Sequence, residues 1–333
     1  MNKSLLAFLT EQAKKNPKRF ALPECDAIDT LQAARIVLAN GKGIPVLVND
    51  PEVIKATAEK AHISLDGMEI IDSTNQEAKD ALIKRFLGLE SRDITFSDLK
   101  YLVDNPLYYA MLIVAVGDAD CLFCGHKTTL RDVLTSSQMT IGLKDGVESA
   151  STIALIEVPG YNGPEGEYMI FADGSTDSNP TPAKLATAAI TAADEAKKLM
   201  GWEPRVAFLS SSTDGSAGND YMIRVTQAIN IVKQSRPDIK VDGEFQLDAA
   251  IIPKVATAKV KRPSEVAGVA NVLIFPDANS INIGLKLVSI FAKNSRFWLM
   301  ISGLKKPVAN GTRAATIQEM VGDIAMIIVA AGK

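Results

Sequence analysis

The sequence predicts a mixed α/β protein made of two α/β domains. Short apolar runs alternate with longer amphipathic stretches along the chain, the pattern of strands joined by crossover helices. The length, 333 residues, is enough for two such domains or one large one. Hydrophobic residues make up 47% and charged residues 23%, the balance of an ordinary globular enzyme.

In chain order, strands are expected at residues 20–23, 45–48, 68–71 and 121–124, then at 151–158, 169–172, 206–210, 272–275 and 298–301. Helical patterns cover 30–39, 51–61, 182–200 and 221–235. A largely parallel sheet follows from strands separated by helices. The region 153–174 differs, because two apolar runs joined by Pro159-Gly160-Tyr161-Asn162-Gly163-Pro164 read as an antiparallel hairpin with a long loop. A boundary is expected near 142–151, where Gly142-Leu143-Lys144-Asp145-Gly146 separates the halves. The helix after Gly311 is too short to fold alone and is expected to return to the first domain. That domain then comprises 1–148 plus 300–333, and the second comprises 149–299.

Several classes are excluded by composition. A net charge of -3 gives no basic field for a nucleic acid, although a local arginine pocket can still hold one small anion. The stretch 1–18 mixes Lys3, Glu11, Lys14 and Lys15 with apolar residues at helical spacing and is not a secretory signal. No stretch approaches the roughly 20 apolar residues of a membrane span. Three cysteines cannot all pair, so the simplest compartment is the reducing cytoplasm.

Four segments look chemical. Cys121-Leu122-Phe123-Cys124 is a C-x-x-C, but His62 and His126 are the only histidines and no second cysteine pair exists. Two small core residues are the expected reading. His126 follows that strand's end, where open α/β sheets place ligands, and both a cleft-lining and a structural role stay open. Ser210-Ser211-Ser212-Thr213-Asp214-Gly215-Ser216-Ala217-Gly218 follows a strand and precedes a helix. Its hydroxyls, glycines and backbone N–H groups suit an anion, and equally a solvent loop with a serine cap. Asn310-Gly311-Thr312-Arg313-Ala314-Ala315-Thr316-Ile317-Gln318-Glu319 combines a tight turn, a hydroxyl and an arginine fork fit for phosphate. Thr316 and Glu319 form a capping box pattern there, so Glu319 can be a cap, a carboxylate facing a ligand, or both.

Taken together, several segments resemble the phosphate acetyltransferase/butyryltransferase family. They include Leu22-Pro23-Glu24, Gly117-Asp118-Ala119-Asp120, the stretch from Glu203 to Ser210 with Ser212-Thr213 and Gly215-Ser216-Ala217, and Arg236-Pro237-Asp238-Ile239. They continue through Val241 to Ala250, Ala270 to Asp277, Asn282-Ile283-Gly284 with Lys286, Gly303-Leu304, Lys306-Pro307 and Thr312-Arg313. The similarity runs in order along essentially the whole chain.

The resemblance implies two α/β domains with a cleft between them, related to isocitrate and isopropylmalate dehydrogenases. It implies a homodimer, with the interface on the second domain. It further implies transfer of an acetyl group between acetyl-CoA and phosphate in a ternary complex, with acetyl phosphate as product. Coenzyme A is then a substrate, no cofactor or metal is required, and functional coupling to acetate kinase is expected. The family's carboxylate base falls on Glu319 and its serine-arginine pair on Thr312 and Arg313. Binding positions for CoA and phosphate fall on Ser210, Ser212, Thr213, Gly215, Asn282, Lys286, Asn310, Thr128, Thr129 and Arg131.

The chain also departs from the family pattern. One family arginine falls on Thr135, with Arg131 nearby, and another falls on Ile290, with Arg296 nearest. A family cysteine is Ala315 and a family lysine is Asp214. Propionyl or butyryl transfer is the neighbouring alternative, since one methylene changes discrimination by only about 1–3 kcal/mol. A catalytically inactive acyl-CoA-sensing module is the alternative from another class; the missing arginines favour it and the intact Thr312-Arg313 disfavours it.

Overall fold

In a computed structural model, residues 5–89, 94–173, 178–217 and 220–332 are described. Residues 1–4 of the N-terminal pattern, Gly174 and Gly218 lie outside them. The chain forms two compact units: one runs up to Gly142 and resumes at Leu304, and the other is Leu143–Gly303.

The first unit starts with α1 (Leu5–Lys15), β1 (Lys18–Leu22), α2 (Ile28–Ala39), β2 (Gly43–Asn49), α3 (Pro51–Lys60) and β3 (Glu69–Asp72). Three helices follow, α4 (Gln76–Leu87), α5 (Phe96–Leu102) and α6 (Pro106–Ala115), then β4 (Cys121–Cys124) and α7 (Leu130–Thr140). The second unit holds β5 (Ser151–Glu157), β6 (Tyr168–Asp173), α8 (Pro182–Glu195), β7 (Arg205–Leu209), α9 (Asp220–Ser235) and β8 (Lys240–Phe245). It continues with α10 (Leu247–Ile251), α11 (Pro253–Lys259), β9 (Val272–Phe275), α12 (Ala278–Phe291) and β10 (Arg296–Ser302). The chain returns to the first unit with β11 (Val308–Asn310) and α13 (Ile317–Ala331).

Strands of the first unit lie in the order β3-β2-β1-β4-β11, every adjacent pair parallel. Parallel strands need both faces covered, and the sequence supplies this. Val46, Leu47 and Val48 of β2 are fully buried, as is each residue of β4. α13 buries every residue from Met320 to Ala330 and packs on α1, α2, β1, β4 and β11. This apolar helix therefore belongs to the first unit's core.

Strands of the second unit lie in the order β10-β5-β6-β9-β7-β8. The β5–β6 hairpin is antiparallel, with Ile153 opposite Ala172 and Glu157 opposite Tyr168. β10 also pairs antiparallel to β5, whereas β6, β9, β7 and β8 pair in parallel. Two strands, β8 and β11, are absent from the sequence-based expectation. The helix expected to reach residue 200 ends at Glu195, continues as a π turn over Ala196–Met200, and stops at Gly201, whose φ is +70°.

Candidate active site

Strand order in the first unit sets β4 between β1 and β11, so three chain segments leave the sheet side by side at its carboxyl edge. They are Pro23-Glu24 after β1, Gly125 to Thr129 after β4, and Gly311 to Arg313 after β11. This is where open α/β sheets receive ligands.

The turn after β4 is organised around Glu24. Its buried carboxylate, 6% exposed, accepts the backbone N–H groups of Gly125 (3.3 Å), His126 (2.8 Å), Lys127 (3.1 Å) and Thr128 (2.9 Å). It also accepts the Thr128 hydroxyl at 2.7 Å. Such a row of amides before a helix is a ready anion site, and here the protein's own carboxylate fills it. Thr129 caps α7 through the N–H of Asp132 at 3.2 Å, while Arg131 is exposed on the first turn. His126 Nδ1 is buried without a hydrogen-bond partner.

The turn also braces the segment after β11. Gly311 donates its N–H to the Cys124 carbonyl at 2.8 Å. Gly125 has φ +98°, and a Cβ built there would stand 2.4 Å from Asn310 Oδ1, so only glycine fits beside that amide. Asn310 is 8% exposed, and its Oδ1 has no partner. Thr312 and Arg313 follow, both exposed, and the guanidinium makes no ion pair or hydrogen bond among the described residues.

Glu319 closes the segment. The capping box is formed: Glu319 Oε2 accepts the Thr316 N–H at 2.7 Å and its hydroxyl at 2.8 Å, and the Glu319 N–H reaches back to Thr316 Oγ1 at 3.3 Å. Glu319 Oε1 carries no such bond. Capping thus occupies one oxygen of the carboxylate and leaves the other without a hydrogen bond.

The second unit repeats the motif of a glutamate inside a hydroxyl-rich loop. After β7, Glu244 Oε1 accepts Ser212 Oγ at 3.0 Å and the Gly215 N–H at 2.7 Å. Ser212 Oγ takes the Ala217 N–H at 3.1 Å, Thr213 Oγ1 takes the Gln246 N–H at 3.0 Å, and Ser210 Oγ takes the Ser212 N–H at 3.2 Å. Ser212 and Thr213 are buried, and Asp214 is tied to Arg262 at 2.9 Å. Much of the loop's hydrogen-bonding capacity is thus used within the protein. Asn282 and Lys286 lie one turn apart on α12, both exposed.

The residues missed from sequence are Glu24 and Glu244. Glu24 directly after a predicted strand was visible, but the turn it fills lies about a hundred positions away in sequence. Thr135 is exposed on α7, Ile290 is exposed on α12, and Arg296, at the start of β10, faces Glu157 at 3.5 Å. Cys121 and Cys124 are free and fully buried in β4, and burial pushes both thiols well up.

An α/β fold whose candidate residues gather at the carboxyl edge of a parallel sheet is one found among enzymes, and comparison with known proteins makes the class specific. At the level of fold alone, a 4-hydroxythreonine-4-phosphate dehydrogenase from Klebsiella pneumoniae superposes with a TM-score of 0.56 at 14% identity, over 94% of this chain and 99% of the other. Residues 4–329 match the family described as phosphate acetyl/butaryl transferase, and the chain belongs to that family of transferases. Phosphate acetyltransferase of Thermoanaerobacterium thermosaccharolyticum is 36% identical over 329 residues, covering 98% of this chain and 99% of the relative. A phosphotransacetylase from Streptococcus pyogenes superposes with a TM-score of 0.87 at 26% identity, over 99% of each chain.

Proposed function

We propose that the protein catalyses reversible transfer of an acetyl group between coenzyme A and inorganic phosphate, in a ternary complex, with the catalytic centre at Thr312, Arg313 and Glu319. The observation that carries this reading is the pair of uncommitted groups on either side of the α13 cap, the Arg313 guanidinium and Glu319 Oε1. Glu319 takes the proton of the CoA thiol, which is mostly protonated at neutral pH with a pKa near ~8.5. The thiolate attacks the carbonyl carbon of acetyl phosphate, the new C–S bond forms and the C–O bond to phosphate breaks. Arg313 and the Thr312 hydroxyl hold the departing phosphate, a task suited to a planar fork. The names of the Thermoanaerobacterium thermosaccharolyticum relative and the Streptococcus pyogenes neighbour support this chemistry.

Binding of CoA is assigned to the exposed Arg131 and the buried Asn310, whose Oδ1 lacks a partner, in the first unit, and to the exposed Asn282 and Lys286 in the second. Thr128, Thr129, Ser210, Ser212, Thr213 and Gly215 serve as the frames that hold these edges. Coenzyme A is a substrate here, and no metal enters the mechanism. Among the described residues, no helix is long and apolar enough to cross a membrane. The working location is the cytoplasm, in functional sequence with acetate kinase.

The homodimer is assigned to the second unit. α12 exposes Ile283 (59%), Leu287 (50%), Ile290 (70%) and Phe291 (77%), spaced as one stripe of a helix that a second copy would cover. Light scattering showing a dimer, and a monomer for Leu287→Glu, supports this surface; a dimer for both excludes it.

The reaction is tested with purified protein, CoA and acetyl, propionyl and butyryl phosphates, following thioester absorbance. Acetyl phosphate is expected to react fastest. A flat signal with all three would overturn the assignment in favour of a non-catalytic acyl-CoA-binding module.

A further inference from the structure

Away from the strand ends, residues of α1, α2 and α13 line an open pocket of about 270 Å³ in the first unit. Its walls are apolar at Leu6, Ile36 and Val321 and polar at Thr10 and Gln318, and Lys42 completes the lining. Lys42 is only 4% exposed.

Its position follows from local chain chemistry. α2 ends in a tight reversal, with Gly41 at φ +65°, the Gly41 N–H on the Leu38 carbonyl at 2.8 Å and the Lys42 N–H on the Val37 carbonyl at 3.1 Å. That turn directs the chain into β2 and leaves Lys42 at the cavity. Among the described residues its ammonium has no hydrogen bond and no ion pair. Three carbonyls in the last turn of α2 already accept bonds: Ile36 from Asn40 Nδ2–H at 2.8 Å, Val37 from the Lys42 N–H and Leu38 from the Gly41 N–H. A helix end supplies a fraction of a charge and no full counter-ion.

The Lys42 stem is buried, and its ammonium at the pocket has no counter-ion among the described residues. A second cation stands nearby instead. Lys14 repels Lys42, and burial together with that repulsion holds the Lys42 ammonium below its usual pKa. Lys14 itself has Glu11 at 3.3 Å. A cation with a missing partner, at the wall of a cavity that has both aliphatic and hydrogen-bonding sides, describes a receptor for an anion with a short apolar body. The volume lies near the small end of the range for ligand pockets, which suits a molecule of few heavy atoms.

We infer that this cavity binds a short-chain carboxylate, with its carboxylate on Lys42, hydrogen bonds from Thr10 and Gln318, and its aliphatic body against Leu6, Ile36 and Val321. The site is separate from the groups assigned to catalysis. It is mechanically close to them, since Gln318 and Val321 flank Glu319 on the first turns of α13, making it a position from which an effector can act.

The test is isothermal titration of the whole protein with acetate, butyrate and inorganic phosphate at neutral pH. Butyrate is expected to bind saturably at one equivalent per chain, more tightly than acetate or phosphate. The same binding should appear in Arg313→Ala, and weaken by roughly tenfold or more in Lys42→Met, as for loss of one partner of a buried charge pair. Lys42→Met should melt no earlier than the parent, because the ammonium makes no hydrogen bond or ion pair within the described residues. In the unaltered protein, methyl resonances of Leu6, Ile36 and Val321 should move on adding butyrate, a readout independent of any variant. Absence of saturable binding, binding unchanged in Lys42→Met, or binding lost in Arg313→Ala overturns the inference. The last result would place the anion at the catalytic centre, and phosphate binding more tightly than butyrate would reject the carboxylate class.

Discussion

Glu319 bonds to Thr316 through a single oxygen: Oε2 takes both the Thr316 N–H at 2.7 Å and its hydroxyl at 2.8 Å. Glutamine presents one equivalent oxygen, so Glu319→Gln should keep the capping box and unfold within error of the parent. Glu319→Ala removes those bonds from the start of α13, at a cost of about 1 kcal/mol. Urea denaturation of the two variants measures the difference. Equal destabilisation by both would show that the charge, and not the cap geometry, supports the helix.

Glu24 should matter more for stability than any residue of the Thr312 to Glu319 segment. Its carboxylate satisfies four backbone N–H groups and one hydroxyl at a buried turn. Glu24→Ala strands those donors and should cost about 3 kcal/mol or more, since each unsatisfied buried donor loses roughly 1–3 kcal/mol. Hydrogen exchange should quicken first at Gly125 to Thr128. An unchanged denaturation midpoint would mean that water replaces the carboxylate without loss.

The second unit should lose stability in acid through Asp242. Burial opposes ionisation of its carboxyl, but bonds from Arg262 (2.7 Å) and Ser264 (2.5 Å) outweigh it and hold the group below its ordinary value. A carboxyl depressed in the folded state stabilises above its unfolded pKa, near ~3.9, and that contribution fades as pH falls through the lower folded value. Melting temperature followed below about pH 4 should therefore fall more steeply for the parent than for Asp242→Asn. Parallel acid limbs would remove Asp242 from the account.

Arg313→Lys should retain charge yet lose the two-pronged contact to phosphate. A fall in kcat of roughly tenfold to a thousandfold is expected, the range for losing one strong transition-state donor. Steady-state kinetics with acetyl phosphate and CoA measure it. Full activity would show that the charge alone suffices.

Much of the architecture was legible, and the exceptions have physical causes. β4 and β9 are uniformly apolar and matched to the residue, because a strand buried on both faces writes itself as a continuous run. β8 reads Lys-Val-Asp-Gly-Glu-Phe; its buried Asp242 and Glu244 serve Arg262 and Ser212, so local polarity hides a strand. β11 is three residues long, too short for any periodicity. The Thr312 to Glu319 segment was readable because a capping box and an arginine after a tight turn are local patterns. The carboxylates inside the two hydroxyl-rich loops were not, since Glu24 meets Thr128 only through the pairing of β1 with β4.

The central claim, that Glu319 withdraws the thiol proton, is tested most directly by thioester formation from CoA and acetyl phosphate in Glu319→Gln across pH. The account predicts a folded protein with strongly reduced activity at neutral pH. The deficit should shrink as pH approaches the thiol's own pKa of about 8.5, where free thiolate replaces the missing base. Full activity of Glu319→Gln at neutral pH would contradict the account and leave Glu319 as a helix cap alone.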